Sequence, residues 1–277
     1  MNIGDYNTLR VARKVDFGVY LADEQGNEVL MPKRYLTGNE HVDDTITAFV
    51  YNDSEGRPVA TTEQPVATAG QFALMRVKAV NSVGAFLDWG LTAKDLLVPF
   101  GEQRTRMTAG RSYIVHVYLD HKTQRVAASA KLDRFLSHDR PRLYHRQMVQ
   151  ALVVQRAEAG YKVIVNNAHW GMIYQNETFR DFNVGEVHRA FVKQVRPDGK
   201  IDLTVEKIER LRVDDIAAAL LNHLRTHGGT MTLSDKSSPE DIARAFSCSK
   251  KDFKKALGQL YKQQLITLTP QVTLTGK

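Results

Sequence analysis

The sequence predicts a mainly β, multidomain chain: three tandem five-stranded OB-type barrels followed by an α+β winged-helix domain. Three observations carry this reading. Strand-like segments recur with matching glycine, proline and hairpin landmarks. The intervals between them leave no room for long helices. The last quarter switches to helical periodicity.

The first copy runs through Val15-Asp16-Phe17-Gly18-Val19-Tyr20-Leu21, a strand ending at Pro32, and a hairpin from Ala48 to Val59. The second repeats this order in Phe72–Leu87, with Gly84, then Leu96-Leu97-Val98-Pro99, then a hairpin from Ile114 to Ala127. The offset is 66 residues at the glycine (18 to 84) and 67 at the final strand (59 to 126). In the third copy Met148–Val154, Gly160–Val165, Ala190–Val195 and Ile201–Val205 read as strands, the last two flanking the turn Arg196-Pro197-Asp198-Gly199-Lys200. Its offsets from the second copy are 76 and 75 residues. Five short strands in about 65 residues suit the OB barrel. Residues 131–147, around Pro141, read as a short helical piece and a basic connector.

In the last quarter Val213, Ala217, Leu220, Leu221 and Leu224 share a helical face, and Gly228-Gly229 ends that helix. Ser238-Pro239-Glu240-Asp241 has the chemistry of a helix start. Ser249-Lys250-Lys251-Asp252 resembles a capping box with Asp in place of Glu. Leu265–Leu268 and Val272–Leu274 make a hairpin about Thr269-Pro270-Gln271. This order is that of a winged helix. The expected domains are 1–66, 67–133, 134–211 (connector plus third barrel) and 212–277.

Divided there, the net charge of +7 is uneven. Residues 1–66 hold 6 basic and 11 acidic side chains, whereas 67–133 hold 9 and 5, 134–211 hold 13 and 9, and 212–277 hold 10 and 6. An acidic first module on three basic ones suggests an anionic partner for the latter. With 43% hydrophobic and 25% charged residues, the chain is not disordered. No apolar run reaches a membrane span, and the start lacks the basic and apolar regions of a signal peptide. One cysteine, Cys248, excludes an internal disulfide. A cytoplasmic protein is the expectation.

Barrels bind single strands by stacking bases on aromatics while cations follow the phosphates. Phe17 and Tyr20 bracket Gly18 in the first copy, Phe86 and Trp89 follow Gly84 in the second, and Tyr161, His169, Trp170 and Tyr174 cluster in the third, with Lys162 and Lys200 nearby. Core packing is the alternative for each ring. Asp53 with Arg57, and Asp120 with Arg125, read as acid–base pairs across the last hairpins. Arg142 and Arg146 give the connector its charge, and Lys251, Lys254 and Lys255 line one helix. Catalytic signals are poor. His223 and His227 lack a third ligand of supporting spacing, Ser137-His138-Asp139 is contiguous where a triad needs neighbours in space, and no phosphate-binding glycine loop occurs. Asp43-Asp44 and Asp214-Asp215 read as solvated helix or turn starts, and no metal, cofactor or small-molecule substrate is expected.

Val80–Leu87, Leu96–Pro99 and Asp120–Ser129 resemble the S1 RNA-binding domain. Gly160–Glu177 followed by Arg196–Leu203 resembles the conserved virulence factor B family, whose three S1-type barrels and winged helix span the whole chain. That resemblance implies a bacterial regulator of virulence genes acting after transcription through RNA. Against its pattern Val83 replaces one aromatic, Pro32 and Pro99 stand at a histidine position, and the third copy lacks the acid, with Arg196 near its place. The resulting expectation is a non-enzyme that binds single-stranded RNA through its later modules, with a protein contact for the first barrel. Its rivals are a duplex-DNA regulator working through the winged helix, a protein-bridging scaffold, and an RNA-processing enzyme.

Overall fold

Gly18, Gly84 and Gly160 each begin the second strand of a five-stranded unit, at a place too tight for a side chain. A Cβ there would meet the carbonyl oxygen of Met31, Val98 or Ile173 at 2.2, 2.2 or 2.1 Å. The glycines face Pro32, Pro99 and Tyr174 in antiparallel register. A computed structural model describes residues 1–175, 178, 181–205, 213–268 and 271–275, the side chain of Asp214 excepted. Asn176 and Glu177 of the third-copy motif, Thr269 and Pro270 of the last turn, the paired acid at Asp214 and the 211/212 boundary therefore lie outside the described residues.

The first barrel comprises β1 (Asp5–Val15), β2 (Gly18–Ala22), β3 (Glu28–Pro32), β4 (Thr45–Asn52) and β5 (Pro58–Thr61), closed in the order β1-β2-β3-β5-β4. The second comprises β6 (Phe72–Val80), β7 (Gly84–Leu91), β8 (Lys94–Pro99), β9 (Ser112–Leu119) and β10 (Val126–Ser129), ordered β10-β9-β6-β7-β8. Its end strands β8 and β10 lie against each other. The third closes in the first barrel's order from β11 (Met148–Ala157), β12 (Gly160–Val165), β13 (His169–Tyr174), β14 (Val187–Val195) and β15 (Ile201–Thr204). Each long first strand has one extra residue, at 12, 78 and 154, where the register slips. Such a bulge bends the strand and sharpens the twist that closure needs. The mainly β, three-barrel class is as expected. Two details differ: β13 was not anticipated as a strand, and Phe17 lies in the turn before β2 rather than on it.

Residues 1–137 and 138–277 form two compact units. Within the first, the two barrels share a core. Phe49 and Tyr51 of β4 belong to the same buried cluster as Met75, Val115 and Trp89 of the second barrel. The Trp89 ring meets Phe49 edge-on at 5.4 Å, and its Nε1 donates to the Ala67 carbonyl at 2.8 Å. Trp89, a stacking candidate from sequence, is thus a core residue, held by the bend after Leu87 that turns it toward β4.

The last module has α1 (Val213–Thr226), β16 (Thr230–Met231), α2 (Pro239–Phe246), α3 (Lys250–Lys262), β17 (Ile266–Thr267) and β18 (Val272–Leu274), with sheet order β16-β18-β17. The Ser238 and Ser249 hydroxyls accept from the Asp241 and Asp252 amides, which caps α2 and α3. Leu220, Leu224, Ile242, Phe253, Leu257 and Leu260 form the core. Cys248 is buried there, and burial pushes its thiol up to about 11, so it is not a thiolate at neutral pH. Among the described residues, no helix is long and apolar enough to cross a membrane.

Candidate nucleic-acid interface

The glycine register makes the three barrels comparable residue by residue. Two positions after the glycine, pointing outward, stand Tyr20, Phe86 and Lys162. They face Leu30, Leu97 and Met172 on the next strand. Two residues before those stand Glu28, Asp95 and Trp170.

In the first barrel the Arg13 guanidinium lies 3.6 Å from the Tyr20 ring centre. Its Nη2 also donates to Glu28 Oε2 at 2.8 Å, so the cation is already matched by an acid. In the second barrel Phe86 is half-buried, and Lys78 Nζ sits 2.7 Å from Asp95 and 3.8 Å from Asp88. In the third barrel the arrangement is exchanged. Lys162 now occupies the ring's place, and its Nζ lies 3.6 Å from the centre of the Trp170 ring on β13. No acid stands at these three positions. A cation over an indole face presents a charge and a stacking plane side by side.

Tyr174 extends this face. Its hydroxyl accepts from Arg196 Nη2, and Arg196 Nε donates to Asp202 Oδ1 at 2.9 Å. Gln194 Nε2 donates to Asp202 Oδ2 at 2.7 Å. Burial works against the Asp202 carboxylate, but Arg196 and Gln194 outweigh it and hold its pKa below the usual range. Arg196 stands where the first two copies have Asp53 and Asp120, and the acid it pairs with is Asp202 on β15. A charged residue between Ile201 and Leu203 in a buried strand was the signal for it. His169 opens β13 half-buried, and burial lowers its pKa against the pull of Asp139.

Other candidates move. Tyr161 is fully buried, its hydroxyl donating to Asp181 Oδ1 at 2.6 Å and its ring 5.1 Å from Phe182. It stands one residue after the glycine, like the buried Val19 and Ala85, and that position points into the barrel. It cannot stack on a base. Arg125 does not meet the Asp120 side chain. It reaches the Ser54 carbonyl of the first barrel at 3.4 Å, while Asp120 Oδ1 accepts from the Lys122 amide at 2.8 Å. The cause is the docked first barrel, whose turn at Gly56 comes against the Arg125 guanidinium. Arg57 and Asp53 do pair, Nε to Oδ2 at 2.9 Å.

Lys200 is exposed in its turn, 3.1 Å from Asp198. Arg142 and Arg146 are exposed in the connector, and the Arg146 amide donates to the Val192 carbonyl at 2.7 Å. Lys251, Lys254 and Lys255 are exposed on α3, with Lys254 3.8 Å from Asp235 and Lys255 3.5 Å from Asp252. The His223 and His227 rings stack at 4.0 Å, and among the described residues no three metal-ligating side chains converge.

Residues 3–63 match the S1 domain, and residues 218–273 match the CvfB-like winged helix domain. It is 24% identical to conserved virulence factor B of Staphylococcus epidermidis (strain ATCC 12228), an alignment covering 83% of this chain and 79% of that one. It is 28% identical to the protein YitL of Bacillus subtilis (strain 168), over 95% and 90% of the two chains. A solved multidomain protein with nucleic acid binding domains from Streptococcus pneumoniae is 26% identical and covers 99% of this chain and 98% of its own, at a TM-score of 0.43. The resemblance to conserved virulence factor B seen in the third-copy motif thus extends over most of the sequence.

Proposed function

We propose that the chain is a non-catalytic RNA-binding protein that regulates gene expression after transcription in the cytoplasm. The S1 domain and the winged-helix domain support nucleic-acid binding. The observation that carries the RNA reading is the Lys162–Trp170 pair, a cation 3.6 Å from the centre of an indole ring, on the barrel face where single strands stack. Trp170 supplies the plane, Lys162 the first phosphate contact, and Tyr174 continues the face. Lys200 in its turn and the α3 lysines Lys251, Lys254 and Lys255 add cations, and Phe86 adds a weaker platform among Asp88 and Asp95. We take the modules as 1–66, 67–133, 134–211 and 212–277. The acidic first module, whose Arg13 is held by Glu28, serves a protein contact rather than RNA. Control of virulence genes follows from the name of the staphylococcal relative.

Titrating a fluorescent oligouridylate at several salt concentrations tests this. Affinity falls linearly in log–log form as salt rises, because bound cations displace the counterions of the strand. Salt-insensitive binding, or equal binding by the Trp170→Ala protein, overturns the mechanism. The exposed α3 lysines favour a second reading, duplex-DNA binding, which competition between the two nucleic acids at one salt concentration separates.

A further inference from the structure

The opposite side of each barrel, where the first and fourth strands pair, has its own equivalent residues. Tyr6 faces Phe49, Phe72 faces His116, and Met148 faces Phe191. All six point outward, since their neighbours Ala48, Val115 and Ala190 fill the barrel interiors. In the first two barrels this face is roofed by a flat ring. Trp89 covers Phe49, which is 0% exposed. Phe135 stacks on His116 at 4.1 Å and 19°, leaving His116 7% exposed. In the third barrel the same face is open: Met148 is 57% exposed and Phe191 is half-exposed.

Among the described residues, those around the open face include several cations. Arg189 lies on the same side of β14 as Phe191, opposite Gln150. The connector is stitched along β14 by the Arg146 amide on the Val192 carbonyl and by His145 Nδ1 at 2.8 Å from the Lys193 carbonyl. This sets Tyr144, 71% exposed, and Arg146 beside Met148. Arg146 has φ +69°, a left-handed conformation that is costly for a residue with a long side chain. Lys193 shares the field of Asp202, so the charge here rests on Arg146 and Arg189.

We propose that this β11–β14 face is a second nucleic-acid contact, taking a base of the single strand on Phe191 with neighbouring phosphates on Arg146 and Arg189. A base is planar, as are the two roofs that close the equivalent faces, and the phosphates beside it bring negative charge to the cations Arg146 and Arg189. The proposal rests on the reading that the chain binds single-stranded RNA. It places the strand around the barrel from the Trp170 face to the Phe191 face.

The test uses the full chain and an oligouridylate of about twenty nucleotides carrying one 5-iodouridine, which crosslinks to a stacked ring on irradiation. The expected result is a crosslink at Phe191 or Tyr144 in addition to Trp170. Phe191→Leu, which keeps the bulk and removes the ring, abolishes that crosslink and weakens binding about tenfold. The exposed double variant Arg146→Ala/Arg189→Ala lowers the salt slope by about 1.4, from about 0.7 per phosphate contact. A crosslink confined to Trp170, with both variants binding as wild type, overturns the second contact and leaves the Trp170 site standing. It would also mark the face as a protein surface. Failure of the wild-type protein to bind the probe removes the RNA reading, and this inference with it.

Discussion

On the first barrel Tyr20 faces Leu30, with Glu28 two residues along and Arg13 laid over the ring; on the third, the same places hold Lys162, Met172 and Trp170. Both faces pair a cation with an aromatic plane at 3.6 Å. In one the cation comes from the first strand and is matched by an acid. In the other it comes from the second strand, and the facing positions hold Met172 and Trp170 instead of an acid. The fold tolerates this exchange because these side chains point outward, while the inward residues and the crowded glycine hold the register. Similar backbones therefore present two differently charged surfaces, and on the proposed function only the third barrel's takes phosphate.

The same contrast separates residues that hold the molecule together from residues proposed to meet RNA. The largest expected effect belongs to Trp89, which fills the shared core of the first two barrels. Trp89→Ala costs about 3–5 kcal/mol and lowers the melting temperature of the first unit, seen by calorimetry, because nothing refills the space between Phe49 and Ala67. An unchanged melt would mean that the barrels are not energetically joined.

Next comes pH. Burial lowers the His116 imidazole to about 4, whereas an unfolded histidine titrates near 6.5. Between those values the unfolded chain binds a proton that the folded one refuses, so stability falls as pH drops through this window, by about 3 kcal/mol at full extent. His116→Phe, which suits a site between Phe72 and Phe135, shallows the fall relative to wild type. Parallel pH–stability curves would refute this.

Trp170→Ala weakens oligouridylate binding by about 1–3 kcal/mol, or roughly five- to 150-fold, while Tyr20→Ala leaves it unchanged. Equal losses from the two variants would erase the distinction between the barrels. Tyr161→Phe removes only the hydrogen bond to Asp181, so stability falls by about 1 kcal/mol and binding stays as wild type. Reduced RNA affinity in this stable variant would return Tyr161 to the interface. The smallest effect is that of Arg125→Ala, below about 1 kcal/mol, because its contact to Ser54 is exposed and long.

Much of the architecture was legible because period-2 strands and a recurring glycine leave a direct trace. The caps at Ser238 and Ser249 appear as their spacing foretold. Spacing alone could not assign each ring to its side of the sheet. Tyr161 and Lys162 are adjacent and face opposite ways, and only the register with β13 decides which one meets solvent. Trp89 escaped because its environment is another barrel, and Asp202 because its partners Arg196 and Gln194 become neighbours only when β14 pairs with β15. Contacts between segments distant in sequence are the part a linear reading misses.

The shared core of the first two barrels has a consequence for synthesis. Phe49 and Tyr51 leave the ribosome well before Met75 and Trp89, the residues that cover them. During that interval the nascent first barrel presents an uncovered aromatic face. The first unit therefore acquires its full cooperativity only once the strands up to β10 are available, and a chain stalled between the two barrels is a natural substrate for chaperones and proteases.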